Sequence, residues 1–233
     1  MNAYADASKK SAAVEAATYV EDGMTLGIGT GSTAAHFIDE LSKKTDQGFR
    51  LKGVPTSKAT EALARAAGVD IIEPDSETII DVAVDGADEV DARMNLIKGG
   101  GGALLREKIV ANAAKKFIVI ADASKRVETL GAFPLPVEIE PFAHALTMRE
   151  IGDAVAALGL SPQKIALRER DGVLFKSDGG NLIVDCALGA IRDPALLEAR
   201  LREIPGVIEC GLFCAMTDIV IFGDGDKTHR QRA

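Results

Sequence analysis

Four short segments of this chain combine glycines with polar or charged side chains, the residue types that bind and transform small polar ligands. Each follows, or lies shortly after, an apolar stretch with the pattern of a buried strand, and ligands bind at the carboxyl ends of strands in an open parallel sheet. Their hydroxyls, backbone amides, carboxylates and lysines are the groups needed to hold a phosphorylated sugar and to move protons on it. The four segments are Gly29–Thr33, Asp85–Asp88, Lys98–Gly102 with Glu107, and Ser124–Lys125.

The segment Gly27–Thr33 has the composition of an anion-binding turn. Glycines after a strand let the backbone approach an anion, and the helix that follows offers free N–H groups and the positive end of its dipole. A dinucleotide is disfavoured, because Ser32 stands where the G-x-G-x-x-G fingerprint needs its last glycine and no clear acidic residue ends the next strand, at Val54–Ser57. The structural alternative is a tight turn, capped by Ser32 or Thr33, that binds nothing.

Asp85 and Asp88 lie three residues apart, just after the strand-like stretch Ile79–Val84. Two carboxylates this close can hydrogen-bond sugar hydroxyls, or one can transfer protons while the other orients it. They could instead bind a divalent cation, or be exposed acids of an Asx turn. The position at the end of a buried strand favours a ligand-binding role for Asp85.

Lys98 is followed by four glycines, which is the least ordinary feature of the chain. A glycine run has a large entropic cost on folding, so it usually indicates that the backbone must approach another group closely. The run leads into a predicted helix over Ala103–Ala114, whose first turn offers N–H groups to an anion or oxyanion. A flexible linker is the alternative.

Glu107 lies in the second turn of that predicted helix. Its neighbours at i−4, i+3 and i+4 are Ala103, Val110 and Ala111, a small apolar stripe that predicts partial burial of the carboxylate. Burial would raise the pKa of this carboxyl, which suits a general base. An exposed position within the charged run Arg106–Lys108 is the alternative, and the pattern by itself favours it.

Lys125 follows the strand-like stretch Phe117–Ala121 and could reach a phosphate as a point charge, or be an ordinary surface lysine. The three histidines lie outside all four segments, which gives a histidine-dependent mechanism little support. They are His36, His144 and His229.

The composition limits the class of protein. The chain has 233 residues, 47% of them hydrophobic, and a net charge of −8, which argues against nucleic acid or an anionic membrane as the main partner. Its three cysteines form no disulfide framework or metal-ligand pattern, so we expect reduced thiols and no metal site. The first 25 residues lack an apolar signal core and no run approaches the ~20 apolar residues of a membrane span, so we expect a cytoplasmic protein.

Up to Gly131, strands alternate with helices, which predicts βαβ units and a parallel sheet. The pattern then changes to strand, helix, hairpin, helix and strand, with a hairpin signal at Arg170–Gly172, and this predicts a ferredoxin-like unit. The apolar stretch Asp218–Phe222 is expected to return to the large sheet. The predicted fold is α/β: a doubly wound, mainly parallel Rossmann-like catalytic domain with a smaller ferredoxin-like α+β domain inserted. The expected ranges are 1–131 plus 210–233 for the first domain and 132–209 for the second.

Taken together, these segments resemble the ribose-5-phosphate isomerase A family over nearly the whole chain. Each motif alone is weak, but their order and spacing, including the nine residues from Lys98 to Glu107, make the set specific. The small domain also resembles the family, through Asp178–Asn181 and Ile204–Val207. The residues that carry the likeness are Gly29-Thr30-Gly31-Ser32-Thr33, Asp85-Gly86-Ala87-Asp88-Glu89, Lys98-Gly99-Gly100-Gly101, Arg106-Glu107-Lys108-Ile109 and Ser124-Lys125.

The resemblance implies interconversion of D-ribose 5-phosphate and D-ribulose 5-phosphate, without a metal ion or an organic cofactor, by a homodimer or homotetramer. It implies that Glu107 is the proton acceptor, and we expect Asp85, Asp88 and Lys98 to assist it. We consider Lys9 a further candidate for the phosphate. The substrate-binding residues that the resemblance implies are Thr30, Gly31, Ser32, Thr33, Asp85, Gly86, Ala87, Asp88, Lys98, Gly99, Gly100, Gly101 and Lys125.

Two other classes of function remain open at this point. A non-catalytic sugar-phosphate sensor would keep the phosphate-binding loop without needing a base, but it would usually carry a DNA-binding segment, for which this chain has no spare basic helix-turn-helix. A related enzyme, such as an amino-sugar phosphate deaminase or a coenzyme A transferase, would be distinguished by its product.

Overall fold

The computed structural model describes residues 3–232 of the chain. The helices are α1 (Ala3–Ala17), α2 (Ser32–Asp46), α3 (Lys58–Ala66), α4 (Leu104–Ala113), α5 (His144–Ala157) and α6 (Pro194–Arg202). The strands are β1 (Thr25–Ile28), β2 (Lys52–Pro55), β3 (Asp70–Ile71), β4 (Val82–Gly86), β5 (Glu89–Val90), β6 (Leu96–Ile97), β7 (Phe117–Asp122), β8 (Leu135–Ile139), β9 (Lys164–Leu167), β10 (Glu169–Arg170), β11 (Val173–Leu174), β12 (Leu182–Ala187), β13 (Val207–Cys210), β14 (Leu212–Phe213), β15 (Ile219–Asp224) and β16 (Lys227–Arg232). Within residues 3–232, each helix is too short or too polar to cross a membrane.

Residue contacts group the chain into two compact units, of which the first consists of the chain up to Ala87, Arg106–Arg126 and the chain from Met216 onward. Its sheet has six parallel strands in the order β3-β2-β1-β4-β7-β15, with β16 antiparallel beside β15 at the edge. Numbered along this unit alone, the parallel strands run 3-2-1-4-5-6, a doubly wound order whose switch point lies between β1 and β4. The predicted doubly wound, mainly parallel sheet is confirmed.

Helix α1 packs on this sheet through small residues. Its buried positions include Ala12, Ala13, Ala16 and Ala17, which allow the helix to approach the strands closely. The approach also depends on Gly223 of β15, because a Cβ there would lie 1.8 Å from the carbonyl oxygen of Ser8. The helix is thereby held against the carboxyl-end half of β15, which brings its first turns toward the ligand-binding edge of the sheet.

The second unit consists of Asp88–Leu105 and Val127–Ala215. Its antiparallel sheet has the order β13-β8-β12-β9, which is 4-1-3-2 when its strands are numbered along the chain, and α5 and α6 contribute to the same core. A strand–helix–strand–strand–helix–strand unit of this order is ferredoxin-like, as predicted. The hairpin β10–β11 turns at Asp171 and Gly172, both with positive φ (55° and 75°), as the hairpin signal at these residues indicates.

Three features differ from the sequence-based expectations. The unit boundaries depart from the expected ranges mainly at Asp88–Leu105, which belongs to the second unit and carries two strands of a small sheet, β14-β6-β5. The strand expected at Ile79–Val84 is Val82–Gly86, so Asp85 lies inside β4. The polar edge strand β16 is additional to the expected sheet, because its six residues lack an apolar alternation.

Candidate active site

Asp85 lies at the switch point of the first unit with its carboxylate held by backbone groups. Its Oδ1 atom accepts hydrogen bonds from the N–H of Thr30, over 3.1 Å, and from the N–H of Gly86, over 2.7 Å. Only 3% of the residue is exposed. Gly29 makes the position possible, because a Cβ there would lie 2.1 Å from Oδ1 of Asp85. The end of β1 and the end of β4 therefore fix this carboxylate together.

The hydroxyl of Thr30 belongs to a chain of hydroxyl groups inside the first unit. Its Oγ1 lies 2.7 Å from Oγ1 of Thr56, donates to Oγ of Ser57 over 2.9 Å, and lies 3.0 Å from Oγ1 of Thr60. Ser57 in turn donates to Thr60, which donates to the carbonyl of Gly29 over 3.0 Å. One consistent direction, from Thr56 through Thr30, Ser57 and Thr60 to Gly29, gives every hydroxyl one acceptor. Thr30 thus stabilises the loop after β1.

The start of α2 supplies the groups expected of an anion site. Gly31 precedes the helix with φ +116°, a conformation that favours glycine, and the first turn of α2 contains no acidic residue. The ammonium group of Lys9, on α1, donates to Oγ of Ser32 over 2.9 Å. A lysine beside the positive end of a helix forms a local site for a phosphate on an otherwise acidic protein.

Glu107 is buried, with 4% of the residue exposed, so the exposed charged run considered above is wrong for this position. It lines a narrow crevice in the first unit together with Gly29, Thr56 and Asp85. Helix α4 reaches this position because β1 carries Gly27, where a Cβ would lie 2.4 Å from Cγ1 of Val110. Two carboxylates, those of Asp85 and Glu107, therefore line one crevice.

Lys125 lies at the carboxyl end of β7, the strand next to β4. It ends a single turn of 3-10 helix, and Asp122 caps that turn by accepting a hydrogen bond from the N–H of Ser124 over 3.1 Å. Lys125 is partly exposed. The structure therefore places a lysine at the same edge of the sheet as Asp85.

Of the other predicted residues, Thr33, Gly86 and Ala87 belong to the first unit. The second unit, which the chain enters after Ala87, contains Asp88, Lys98 and Gly99–Gly101. Oδ2 of Asp88 accepts a hydrogen bond from the N–H of Gly100 over 2.8 Å, so the aspartate contacts the glycine run directly. Gly99 and Gly102 have φ of +98° and +86°, and the N–H of Gly102 donates to the carbonyl of Gly99 over 3.0 Å. The run is therefore an ordered turn rather than a flexible linker.

Lys98 is buried in the second unit, with 2% of the residue exposed. Its N–H donates to the carbonyl of Gly211 over 2.8 Å, and its ammonium group lies 5.4 Å from the centre of the Phe213 ring. Burial beside an aromatic face holds a lysine charge in a defined place, because the ring attracts the cation and the surroundings exclude water.

Among the described residues, one cluster brings metal-ligating atoms within 4.8 Å of one another: Glu198, Glu209 and Cys210 of the second unit. None of the predicted site residues belongs to it. Glu209 also lies 3.7 Å from Arg202, measured from Oε2 to Nε. The arrangement is therefore separate from the predicted substrate-binding residues.

The loop after β1 has three supporting residues that were not predicted from the sequence: Thr56, Ser57 and Thr60. Ser57 caps α3 by accepting a hydrogen bond from the N–H of Thr60 over 3.1 Å, and this Ser-x-x-Thr spacing was the available signal. Arg168 was not predicted either, because its contact with the glycine run joins residues about seventy positions apart.

Comparison with known proteins gives the same family from sequence and from structure. A family model described as "Ribose 5-phosphate isomerase A (phosphoriboisomerase A)" matches residues 52–227. The "Ribose-5-phosphate isomerase A" of Parvibaculum lavamentivorans is 50% identical over 224 residues, which cover 96% of this chain and 97% of that protein.

Two solved structures extend this likeness to the fold. A D-ribose-5-phosphate isomerase in complex with phospho-erythronic acid is 39% identical with a TM-score of 0.89, and the match covers 97% of each chain. Ribose 5-phosphate isomerase A from Methanocaldococcus jannaschii is 38% identical with a TM-score of 0.87, over 97% of this chain and 98% of that one. The chain described here therefore belongs to the ribose 5-phosphate isomerase A family.

Proposed function

We propose that this chain interconverts D-ribose 5-phosphate and D-ribulose 5-phosphate through an enediol, as a step of the non-oxidative pentose phosphate pathway. The observation that carries the proposal is the burial of Glu107 in the crevice that Asp85 also lines. An aldose–ketose isomerisation needs a base that moves a proton between neighbouring carbons, and a carboxylate shielded from water is suited to that work. Membership of the family supports the choice of substrate.

Glu107 is the proposed base. It removes the proton from C2 of the open-chain aldehyde while O1 takes up a proton, which gives the enediol. It then returns the proton to C1 while the O2 hydroxyl gives up its proton, which gives the ketose. One carboxylate can do both because the two carbons are adjacent. The apolar side chains of Val110 and Ala111, which line the same crevice, shield the carboxylate from water.

Lys98 and the amides of the glycine run are the proposed stabilisers of negative charge on O1 and O2. Groups fixed in advance toward developing charge cost little reorganisation during the reaction, and such preorganised electrostatics is usually the largest single catalytic effect. The burial of Lys98 and the ordered turn at Gly99–Gly102 support this role. Asp85 or Asp88 is proposed to assist ring opening by transferring a proton to the ring oxygen or from O1, while Gly86 and Ala87 shape the loop between them.

The phosphate is proposed to bind at the start of α2, where Gly31, Ser32 and Thr33 present backbone N–H groups and hydroxyls. Lys9 and Lys125 supply positive charge, and the bond from Lys9 to Ser32 supports this assignment. The relative solved with phospho-erythronic acid holds a phosphorylated acid, which is consistent with a site for anionic sugar derivatives. Binding energy from a remote phosphate can orient the reacting carbons.

Assembly as a homodimer or homotetramer and a cytoplasmic location remain predictions that rest on the family resemblance and the composition. Light scattering coupled to size-exclusion chromatography measures the first directly. A monomer at assay concentration would contradict it.

The activity is tested by a coupled assay with ribose 5-phosphate in the presence of EDTA, comparing the wild type, Glu107→Gln and the matched control Glu128→Gln, which alters an exposed glutamate. The wild type and Glu128→Gln are expected to form ribulose 5-phosphate at equal rates. Glu107→Gln is expected to lose about 10²–10⁴-fold in kcat while still binding substrate, because a glutamine cannot accept the proton.

Each other outcome contradicts a specific part of the proposal. A Glu107→Gln variant with most of its activity would exclude Glu107 as the base. Loss of wild-type activity in EDTA would indicate a metal-dependent reaction. Tight binding of ribose 5-phosphate without turnover by the wild type would instead indicate a sensor.

A further inference from the structure

The hairpin β10–β11 of the second unit is exposed at its tip and anchored at its base by two side chains. Val173, on β11, is 69% exposed. At the base, the N–H of Phe175 donates to the carbonyl of Arg168 over 2.9 Å, which pairs these two residues across the hairpin. Both base residues contact the glycine run.

Arg168 contacts the glycine run through hydrogen bonds to its carbonyl groups. One terminal nitrogen, Nη1, donates to the carbonyl of Gly99 over 2.8 Å and to that of Gly100 over 3.1 Å. The other side of the guanidinium binds Asp185 in a bidentate manner, with Nε 2.9 Å from Oδ2 and Nη2 2.5 Å from Oδ1. With 12% of its side chain exposed, Arg168 is held between these two groups in one orientation.

Phe175 completes the anchor at the other end of the glycine run. A Cβ at Gly102 would lie 2.4 Å from two atoms of the Phe175 ring, so the ring packs directly on the backbone there. The guanidinium carbon of Arg168 lies 5.9 Å from the centre of the same ring. The hairpin base therefore contacts the run at Gly99, Gly100 and Gly102.

The two hydrogen bonds that Arg168 donates to carbonyl oxygens determine where the N–H groups of the glycine run point, because the C=O and N–H of a trans peptide face opposite directions. The Gly99–Gly100 peptide gives its carbonyl to Arg168 and its N–H to Oδ2 of Asp88, so it connects the arginine to the aspartate. The Gly100–Gly101 peptide also gives its carbonyl to Arg168, which turns the N–H of Gly101 away from the arginine.

We propose that Arg168 is a positioning residue for the isomerisation: its hydrogen bonds to the Gly99 and Gly100 carbonyls orient the Gly101 N–H and the Asp88 carboxylate toward substrate. The inference rests on the proposed function, and it assigns the hairpin a role in the reaction through contacts within the second unit. Asp185 holds Arg168 in place. A lysine cannot replace Arg168, because a single ammonium group cannot bind Asp185 in a bidentate manner and also reach two carbonyls.

The first test measures kcat and KM for ribose 5-phosphate in Arg168→Met, Arg168→Lys and Asp185→Asn. Arg168→Met and Arg168→Lys are expected to lose about 10²-fold in kcat with a smaller change in KM, because misplaced groups weaken the transition state more than the ground state. Asp185→Asn keeps the Arg168 guanidinium but weakens the bidentate contact that holds it. This variant is expected to lose less in kcat than the two Arg168 variants, again with a smaller change in KM. The matched control is Arg170→Met, an exposed arginine on the same hairpin whose guanidinium carbon lies 4.8 Å from the Phe175 ring.

A double-mutant cycle separates positioning from a purely structural role. If Arg168 acts through Asp88, then Arg168→Met combined with Asp88→Asn will cost less in kcat than the product of the two single losses. Additive losses, or a wild-type kcat in Arg168→Met, would overturn the inference. A variant that fails to fold, judged by its urea unfolding midpoint, is replaced in the cycle by Asp185→Asn. Absence of turnover in both the wild type and Arg170→Met would contradict the proposed function instead.

Discussion

Gly29 and Asp85 face each other across β1 and β4 so closely that a single added carbon has no room: a Cβ on Gly29 would lie 2.1 Å from Oδ1 and 2.2 Å from Cγ of Asp85. The neighbouring N–H of Thr30 donates to the same oxygen over 3.1 Å. A residue without a side chain is therefore what allows the backbone at the end of β1 to hold the Asp85 carboxylate.

Replacing Gly29 by alanine is expected to displace Asp85 and to lower kcat/KM for ribose 5-phosphate by about 10²-fold, the typical cost of moving a catalytic group by ~1 Å. The free energy of unfolding should fall by about 1–3 kcal/mol, because the added methyl group overpacks a filled site. Steady-state kinetics and urea unfolding measure the two effects.

The matched control for Gly29→Ala is Gly152→Ala, within α5. The nearest atom to a Cβ there is 3.9 Å away, at Cδ1 of Ile165. Alanine should raise the stability there by about 0.5–1 kcal/mol, as expected for glycine in a helix interior, without changing activity. Equal activity in both variants would contradict the tight contact between Gly29 and Asp85.

The burial of Glu107 illustrates what local sequence can and cannot predict. The small apolar stripe around Glu107 was visible, but the charged neighbours favoured exposure when the pattern was taken alone. Glu107 is buried because Gly27, some eighty residues earlier, has no side chain and so lets Val110 and its helix approach β1. Such contacts join distant parts of the chain, so no local pattern contains them. The order and spacing of the motifs supplied the assignment through family resemblance.

The layout of the first unit was predictable because alternating apolar strands and helices of ordinary length specify a doubly wound sheet. The small sheet β14-β6-β5 was not, because each strand has only two residues and no alternation can be recognised over that length. The placement of Asp88–Leu105 in the second unit likewise depends on non-local contacts, such as those of Arg168 with Gly99 and Gly100.

Thr60→Val is expected to destabilise the protein by about 1–3 kcal/mol, because it leaves the Gly29 carbonyl and the Ser57 hydroxyl without their bonds to Thr60. The loop after β1 should loosen, and KM for ribose 5-phosphate should rise. Thr60→Ser keeps the hydroxyl and is the control, expected to stay close to wild type in KM. The hydroxyl chain would have no role in holding the loop if the two variants had the same KM and the same unfolding free energy.

Asp81 should make a pH-dependent contribution to stability. The ammonium group of Lys115 donates to its Oδ1 over 2.9 Å, and the N–H of Thr25 donates to its Oδ2 over 3.0 Å. The hydrogen bond from Lys115, together with that from Thr25, lowers the pKa of the Asp81 carboxyl below its usual value, against the opposing effect of burial. A carboxyl whose pKa is lower in the folded state stabilises the protein above its unfolded-state pKa, and this stabilisation is lost as the pH falls through the folded-state pKa.

Asp81→Asn should therefore be less stable than wild type at pH 7 by up to about 1 kcal/mol, a small value because the ion pair is partly open to solvent. The difference should begin to shrink as the pH falls below about 4, where the carboxyl of the unfolded wild type becomes protonated. It should disappear once the pH has fallen through the lower pKa of the folded-state carboxyl. Lys115→Met removes the other partner of the ion pair, and its stability difference from wild type should also shrink as the pH falls. Urea unfolding at a series of pH values measures these differences in unfolding free energy. If the difference between wild type and Asp81→Asn stayed constant down to a pH at which the carboxyl groups are all protonated, the ion pair would not stabilise the fold.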